Sequence, residues 1–225
     1  MHHGPNRDEE WSREQMTIID ELREAVVEGQ QKAAVASVEK GLAEGIDAGT
    51  LLREGLIAAM AQVGQLYEEG EIFVPEMLVA ARAMNGALGV LKPRLVEQGV
   101  EAAGKVAIGT VQGDLHDIGK NLVAMMLEGS GFEIMDLGVD VPAAKFVQAI
   151  REGANVVAMS ALLTTTMTNM QAIIEAIREA GLRDQARIII GGAPITKTYA
   201  DEIGADGYAV DASGAVRLVR EVLAA

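Results

Sequence analysis

The pattern of apolar and polar positions changes near residue 100 of this chain. Before that point, apolar side chains recur at the three- and four-residue spacing of amphipathic helices. This spacing predicts four helices, at residues 11–28, 31–43, 48–67 and 74–96. Glycine-containing breaks separate the helices, and short connections of this kind favour a four-helix bundle. Pro93 is expected to kink or shorten the last helix near its end.

After residue 104, short apolar runs alternate with helical stretches. The runs predict strands at residues 105–111, 133–137, 156–160, 187–190 and 207–210, and a helix at 214–223 closes the chain. Apolar strands separated by helices indicate a parallel sheet covered on both faces. The expected fold is α/β with an N-terminal all-α part: a helical bundle (1–98), then a flavodoxin-like, Rossmann-like five-stranded domain (99–225).

Composition and charge exclude several function classes. The 225 residues include no cysteine, which removes disulfides, thiolate metal sites and cysteine nucleophiles, and favours a cytoplasmic protein. No apolar run reaches the length of a membrane span, and there is no signal-peptide core. The net charge of −14 is spread over both parts, with nine basic against seventeen acidic residues in 1–98 and ten against sixteen in 99–225. We therefore expect neither nucleic-acid nor membrane binding.

Apart from two histidines near the N-terminus, the chain has one histidine, His116, between the first predicted strand and the next helix. Such turns face ligands in open α/β sheets. A single histidine on a loop is more often a solvated or capping side chain than a ligand, and that interpretation stays open here. Asp114 is placed to accept a hydrogen bond from one ring nitrogen. Gly113 and Gly119 would let a bulky ligand approach the backbone.

Two further clusters follow later strands, a serine- and threonine-rich run at residues 160–166 and the pair Gly191–Gly192. In a doubly wound sheet both would share the carboxyl edge with the His116 turn. Each cluster alone has an ordinary structural explanation, because hydroxyl side chains after a strand commonly cap the next helix and a Gly-Gly pair commonly forms a turn. Only their combination points to a ligand site.

Together, the three clusters resemble the signature of cobalamin-binding domains. They read Asp114-x-His116-x-x-Gly119, Ser160-x-Leu162 and Gly191-Gly192. The helical part resembles the cap bundle of the methyl-transfer branch, particularly at residues 70–78 and 80–84. The resemblance covers almost the whole chain. It is to corrinoid proteins of the methanol, methylamine, glycine betaine and aryl methyl ether methyltransferase systems, and the chain is similar to the cobalamin-binding module of methionine synthase.

The resemblance implies a role for each matched residue of the turn. His116 would replace the cofactor's own benzimidazole as the lower cobalt ligand, so that cobalamin or a related corrinoid is bound base-off, and Asp114 would hold the imidazole. In the methionine synthase pattern a serine completes this relay. The aligned position here is Thr166, which keeps the hydroxyl but has more restricted rotamers.

The resemblance also implies two sets of cofactor contacts. Ser160 and Thr164 would line a pocket for the displaced tail, with Ser160 bonded to its base, while Gly191 and Gly192 would lie along its phosphate and ribose. The full expected set at the sheet is Gly113, Asp114, Leu115, His116, Asp117, Ile118, Gly119, Ser160, Leu162, Thr164, Thr165, Gly191, Gly192, Tyr208 and Ala212. Apolar cover for the upper corrin face would come from Phe73, Met77, Leu78 and Ala81. Apolar residues at helical spacing are also ordinary bundle core, and both interpretations stay open.

The function implied by the resemblance is that of a methyl carrier rather than a self-sufficient enzyme. A substrate-specific methyltransferase would place a methyl group on cobalt(I), and an acceptor methyltransferase would pass it from methyl-cobalt(III) to tetrahydrofolate or a thiol. A reductive activase is the third expected partner. The helical part would be a methyl-cap domain that swings aside about residues 98–104.

Two other classes share the sheet domain. A cobalamin-dependent mutase needs a substrate-binding barrel, and 225 residues leave no room for one. A cobalamin-dependent sensor would couple a ligand or light to a partner. The helical part lacks a basic recognition helix, which argues against direct DNA binding. A sensor that acts on another protein remains the alternative.

Overall fold

The computed structural model describes the backbone of residues 7–224 and the side chains of residues 15–224. The chain divides into two compact units, Met1–Glu101 and Ala102–Ala225. Within the described residues, no helix has both the length and the apolarity that crossing a membrane requires.

The first unit is entirely helical in its described part. Its elements are α1 (Arg7–Val27), α2 (Gln31–Ala43), α3 (Ala48–Thr50), a π-helical segment (Leu51–Ile57), α4 (Ala58–Glu68) and α5 (Val74–Glu97). The predicted third helix corresponds to α3, the π-helical segment and α4 in direct succession. Apolar side chains at helical spacing fill the core, among them Ile18, Leu22, Leu56, Met84 and Leu91.

Two details of the helical unit differ from the sequence expectation. The π-helical segment was not expected. It contains Gly55, whose backbone lies so close to Leu22 of α1 that an added Cβ would be 2.5 Å from a Leu22 methyl carbon. Pro93 does not shorten α5, which continues to Glu97. The missing amide of a proline removes only the hydrogen bond to the carbonyl four residues earlier, and the last turns continue past it.

The second unit contains one parallel sheet of five strands. The strands are β1 (Lys105–Val111), β2 (Glu133–Val141), β3 (Val156–Ser160), β4 (Arg187–Gly191) and β5 (Gly207–Ala209), in the order β2-β1-β3-β4-β5. The helices are α6 (Ile118–Gly129), α7 (Ala143–Arg151), α8 (Thr164–Glu179), α9 (Lys197–Ile203) and α10 (Ala212–Ala224). This confirms the predicted fold class, an N-terminal helical part followed by a flavodoxin-like parallel sheet.

Helices cover both faces of the sheet. The main core lies under α7, α8 and α9, where Phe146, Met170 and Ile174 pack against Val157 and Ile188 of the central strands. Helices α6 and α10 pack together elsewhere on the sheet. The strand order reverses direction between β1 and β3, and ligands of such folds bind beside the carboxyl ends of the strands at that point.

Strand β2 is longer than expected: the predicted end at Leu137 is wrong, and the strand continues to Val141. Gly138, the residue after Leu137, has a φ of 87°. The register between β1 and β2 shifts at this glycine, so the strand bulges and continues to pair with β1 as far as Val141. The extension carries Asp140 to the edge of the sheet where His116 lies.

Candidate functional site

The residues singled out by the sequence meet at the carboxyl edge of the sheet. His116 lies on the connection between β1 and α6, and Thr166 lies in the first turn of α8, just after β3. Because β1 and β3 are paired and parallel, the loops that follow them are neighbours. The prediction that His116 lies on a strand-to-helix turn is therefore correct.

The Asp114 carboxylate is the centre of the site. It is fully buried, and five donors reach it. One oxygen, Oδ1, accepts from the His116 ring Nδ1 at 2.6 Å and from the His116 backbone N–H at 3.1 Å. The other, Oδ2, accepts from the Thr166 hydroxyl at 2.7 Å and from the backbone N–H groups of Leu162 and Leu163 at 2.8 and 3.3 Å.

These donors determine the charge state of Asp114. Burial by itself raises the pKa of a carboxyl group, but the hydrogen bonds from Leu162, Thr166 and His116 outweigh it and hold the pKa of Asp114 far below its ordinary value. The group is therefore a carboxylate at neutral pH, with every contact donating to it. A buried charge is tolerated when it is hydrogen-bonded in this way.

The His116 ring is held on one side and open on the other. Its Nδ1 is bonded to Asp114, while the side chain as a whole is 51% exposed. A carboxylate partner at Nδ1 selects the tautomer with the proton on Nδ1, which leaves the lone pair on Nε2. The Thr110 hydroxyl donates to the His116 carbonyl at 2.8 Å and fixes the backbone where the turn leads into α6.

Thr166 joins the same hydrogen-bond chain. It is buried, and its hydroxyl reaches Asp114 at 2.7 Å and the Leu163 carbonyl at 3.0 Å. A hydroxyl has one hydrogen, and the shorter contact to a charged acceptor is the stronger one. The capping explanation for the hydroxyl run does not describe α8, whose N-cap is Leu163 without a side-chain cap bond.

The residues expected at the cofactor tail line the ends of the remaining strands. Ser160 ends β3 and pairs in register with Gly191 of β4, and Tyr208 lies on β5 beside Ile190. An added Cβ on Gly192 would lie 1.9 Å from the Ala161 carbonyl oxygen, so the two strand ends approach more closely than a side chain permits. Thr164 and Thr165 are exposed at the start of α8, and Ala212 is buried at the start of α10.

Exposed apolar side chains lie beside His116 and farther along the same edge of the sheet. Leu115 and Ile118 are 71% and 81% exposed, and Leu162 lies beside them on the loop after β3 at 43%. Val210, after β5, is 75% exposed. Apolar side chains gathered at one edge of a sheet gain free energy when an apolar surface covers them. Asp117 and Gly119 are exposed on the same turn, and an added Cβ on Gly119 would meet no atom within 4 Å.

The four residues expected in the cap lie at the start of α5 and differ in exposure. Phe73 is 67% exposed, and Leu78 is partly exposed. Met77 and Ala81 have no exposed surface. Of this set, Phe73 presents the largest open apolar surface.

Several residues near the site gave no clear signal in the sequence. Lys120 of α6 is almost completely buried, and its ammonium lies 2.6 and 2.7 Å from the two carboxylate oxygens of Asp136 on β2. Asp140 and Asn169 contact the backbone just before Asp114. Thr110 could have been found as a polar residue inside an otherwise apolar strand. The other three depend on pairings between distant segments.

The arrangement fits a large, flat, metal-containing ligand. His116 offers one nitrogen, and no group of three or more metal-ligating side chains occurs in the described part of the chain. A group that brings its own metal and most of its ligands, such as a corrin, would need only the one nitrogen that His116 offers. The exposed apolar side chains beside His116 suit the apolar surface of such a ring.

Comparison with known proteins agrees with this geometry. Residues 104–217 match the family model of the B12 binding domain, and residues 18–92 match a second B12 binding domain model. Trimethylamine corrinoid protein 1 of Methanosarcina acetivorans is 44% identical over 209 residues, which are 92% of this chain and 97% of that protein.

Two solved structures extend the similarity to three dimensions. A cobalamin-binding protein of Desulfitobacterium hafniense DCB-2 has a TM-score of 0.75 and 32% identity, covering 90% of this chain and 97% of that one. The methanol:cobalamin methyltransferase complex of Methanosarcina barkeri contains a chain with a TM-score of 0.83 and 26% identity, covering 99% of this chain and 86% of that one. The resemblance seen in the sequence is confirmed: the chain belongs to the family of corrinoid proteins with B12 binding domains.

Proposed function

We propose that this chain is a methyl carrier that holds a corrinoid at the carboxyl edge of its sheet and presents it to separate methyltransferases. The observation that carries the proposal is the buried Asp114 carboxylate bonded to the half-exposed ring of His116, in a chain of the corrinoid family. The bound cobalt would supply the chemistry, by carrying the methyl group between donor and acceptor.

In this proposal His116 is the lower cobalt ligand. The Nδ1 proton is donated to Asp114, so Nε2 carries the lone pair that a metal requires. The cofactor's own base would be displaced into the sheet unit, in the base-off mode. Ser160 and Thr164 would contact the displaced base, and Gly191 and Gly192, at the end of β4, would lie along its phosphate and ribose.

Asp114 and Thr166 would control whether His116 is available as a ligand. The ionised Asp114 keeps a proton on Nδ1, and the Thr166 hydroxyl holds the second carboxylate oxygen. Because a nitrogen that carries a proton has no free lone pair, this arrangement leaves Nε2 as the nitrogen that would bind the cobalt.

The apolar residues around His116 would exclude water from beneath the ring. Leu115, Ile118 and Leu162 are exposed in the structure and would be covered by a bound corrin. In the same proposal, the exposed Phe73 of the helical unit would supply apolar cover for the bound corrin. Partners would be a substrate-specific methyltransferase, an acceptor methyltransferase and a reductive activase.

The ligand assignment is tested by reconstitution with hydroxocobalamin. Wild type should show the absorption spectrum of a base-off, histidine-ligated corrinoid, and His116→Ala should lose the imidazole contribution while retaining uptake through the tail pocket. Gln171→Ala, an exposed side chain on α8, is the control and should behave as wild type. An unchanged spectrum in His116→Ala contradicts the assignment.

The carrier role requires a second experiment. The cobalt(I) form should be offered methylamines or methanol together with each candidate partner methyltransferase, and the absorption spectrum followed for methylation. Methylation that depends on one donor and its partner supports the carrier. Corrinoid binding without methylation by any partner would favour a sensor instead.

A further inference from the structure

The turn that carries Asp114 begins with one well-defined β-turn. The Asp114 N–H donates to the Val111 carbonyl at 3.1 Å, which closes a four-residue turn with Gln112 and Gly113 at its centre. Gly113 has a φ of 82°, whereas Gln112 is not among the residues with positive φ. This combination is a type II turn, which requires a residue such as glycine at its third position.

The central peptide of such a turn has an alternative orientation. Type I and type II turns differ mainly in the direction of the peptide between the two central residues, here Gln112–Gly113. Both residues are exposed, and glycine accepts either conformation at low cost. The local sequence alone therefore leaves this peptide, two residues before Asp114, free to rotate.

Two side chains from opposite sides hold this peptide. Asn169 of α8 donates from Nδ2 to the Gln112 carbonyl at 2.7 Å. On the other side, the Gly113 N–H donates to Asp140 Oδ1, near the end of β2, also at 2.7 Å. A rotated peptide would turn its carbonyl toward the Asp140 carboxylate and its N–H toward the Asn169 amide hydrogens. Both contacts would become repulsive.

Asp140 has a second contact and an unusual conformation. Its N–H donates to the Asp114 carbonyl at 3.0 Å, so it contacts the turn through both its side chain and its backbone. Its φ is 52°, and it is the one non-glycine residue with a positive φ in residues 7–224. Aspartate and asparagine tolerate this region better than other residues. Strained backbone of this kind is concentrated at functional sites.

We propose that Asp140 and Asn169 form a clamp on the Gln112–Gly113 peptide and act as positioning residues for the cobalt ligand. By holding this peptide they determine the direction of the backbone at Asp114. That direction determines where the Asp114 carboxylate meets the His116 ring. The imidazole itself is hydrogen-bonded to Asp114, and the two clamp side chains bond the backbone of the turn. This inference rests on the proposed role of His116 as ligand.

Four variants distinguish the positioning role of Asp140 and Asn169 from a general effect on the folded structure. Asp140→Gly keeps the positive φ but removes the acceptor, whereas Asp140→Asn keeps both the φ and an acceptor oxygen and is the rescue variant. Asn169→Ala removes the donor at a helical position where alanine is well tolerated. Gln171→Ala, on the exposed face of the same helix, is the control.

The first readout is the spectrum of each variant reconstituted with hydroxocobalamin. Asp140→Gly and Asn169→Ala should lower the ratio of histidine-ligated to unligated cofactor by about tenfold, the lower end of the range for outer partners of a metal ligand. Asp140→Asn and Gln171→Ala should match wild type. A wild-type ratio in both Asp140→Gly and Asn169→Ala overturns the clamp.

The second readout uses the cofactor-free protein and does not depend on the ligand assignment. Nitrogen NMR of labelled histidine should show His116 of wild type in the Nδ1–H tautomer, and both clamp variants should shift it toward a mixture of tautomers. An unchanged tautomer in both variants also overturns the clamp. A wild type that shows this tautomer but binds cobalamin without histidine ligation contradicts the proposed function alone.

Discussion

At the scale of single residues, the site depends on one carboxylate that remains charged although it has no exposed surface. Five donors converge on Asp114, two of them from the peptide N–H groups of Leu162 and Leu163. Substitution of a side chain leaves a backbone N–H donor in place, so the loop backbone itself supplies much of the stabilisation of the Asp114 charge. The side-chain donors, His116 and Thr166, add further hydrogen bonds to a carboxylate that the backbone already stabilises.

The depressed pKa of Asp114 has a defined effect on stability. Its folded-state pKa lies below that of the unfolded chain, so its contribution is present above about pH 4 and is lost as the pH falls below that value toward the folded-state pKa. Asp114→Asn has no group to titrate at this position. The difference in unfolding free energy between wild type and Asp114→Asn should be constant near neutral pH and should shrink below about pH 4.

Urea unfolding of the cofactor-free proteins at several pH values measures this difference. Asp201→Asn, at an exposed carboxylate paired with Lys197 on the protein surface, is the control for replacing a carboxylate that is not buried. A difference for Asp114→Asn that stays the same down to acidic pH would contradict the charge state assigned to Asp114.

Thr166 tests the last member of the relay. Thr166→Val keeps the shape but removes the hydroxyl that reaches Asp114, and we expect a loss of about 2 kcal/mol in unfolding free energy, as for a hydrogen bond to a charged group. Thr166→Ser keeps the hydroxyl and loses one methyl group, which costs roughly 0.8 kcal/mol. Equal losses in the two variants would show that the hydroxyl bond to Asp114 contributes nothing.

At the scale of elements, α6 and β2 are joined by the ion pair of Lys120 and Asp136. Lys120 is almost completely buried, whereas the Asp136 side chain is about half exposed. Removing the Asp136 carboxylate leaves the buried Lys120 ammonium without its partner charge. Asp136→Asn should therefore lower the free energy of unfolding by roughly 2 kcal/mol, which is less than the 3–5 kcal/mol of a fully buried pair. Lys120→Met removes the charge and leaves an apolar stem in place, so it should cost less.

Chemical unfolding of the two single variants and of the double variant measures the interaction free energy between Lys120 and Asp136. The double variant should be more stable than Asp136→Asn alone, because no buried charge remains. A double variant in which the two losses simply add would contradict an interaction between the two side chains.

The elements also show what the sequence could and could not predict. Strands β1, β3 and β4 follow from their short continuous apolar runs, because successive side chains in each are buried on both faces of the sheet. The end of β2 does not, because Gly138 is a local turn signal and the continued pairing with β1 is a long-range effect. Asp140 was missed for the same reason, since its importance depends on where a bulged strand ends.

The candidate site also has one part that the sequence could predict and one part that it could not. Asp114, His116 and Thr166 were predicted as a set because the family resemblance aligned them, and the structure brings their side chains into one hydrogen-bond chain. The contact of Asn169 with the Gln112 carbonyl had no sequence signal. Contacts between a side chain and distant backbone leave no periodic pattern, so only coordinates reveal them.

At the scale of the whole molecule, the proposed function gives the helical unit one contribution that can be tested, which is apolar cover of the bound corrin by Phe73. Phe73→Ala should make bound methylcobalamin photolyse faster, because the exposed Phe73 ring would no longer cover the upper face. Val96→Ala, at the other end of α5 and also exposed, is the matched control. Equal photolysis rates in wild type and Phe73→Ala would remove Phe73 from the cap.

The central claim is that His116 is the cobalt ligand, and electron paramagnetic resonance of the cobalt(II) form tests it most directly. Protein labelled with ¹⁵N-histidine should be reconstituted with unlabelled cobalamin. Ligation by His116 predicts that the nitrogen splitting changes from the triplet of ordinary nitrogen to a doublet, and that His116→Ala loses the doublet. A triplet that persists in the labelled protein would show that the cofactor's own base is the ligand, and this would contradict the account.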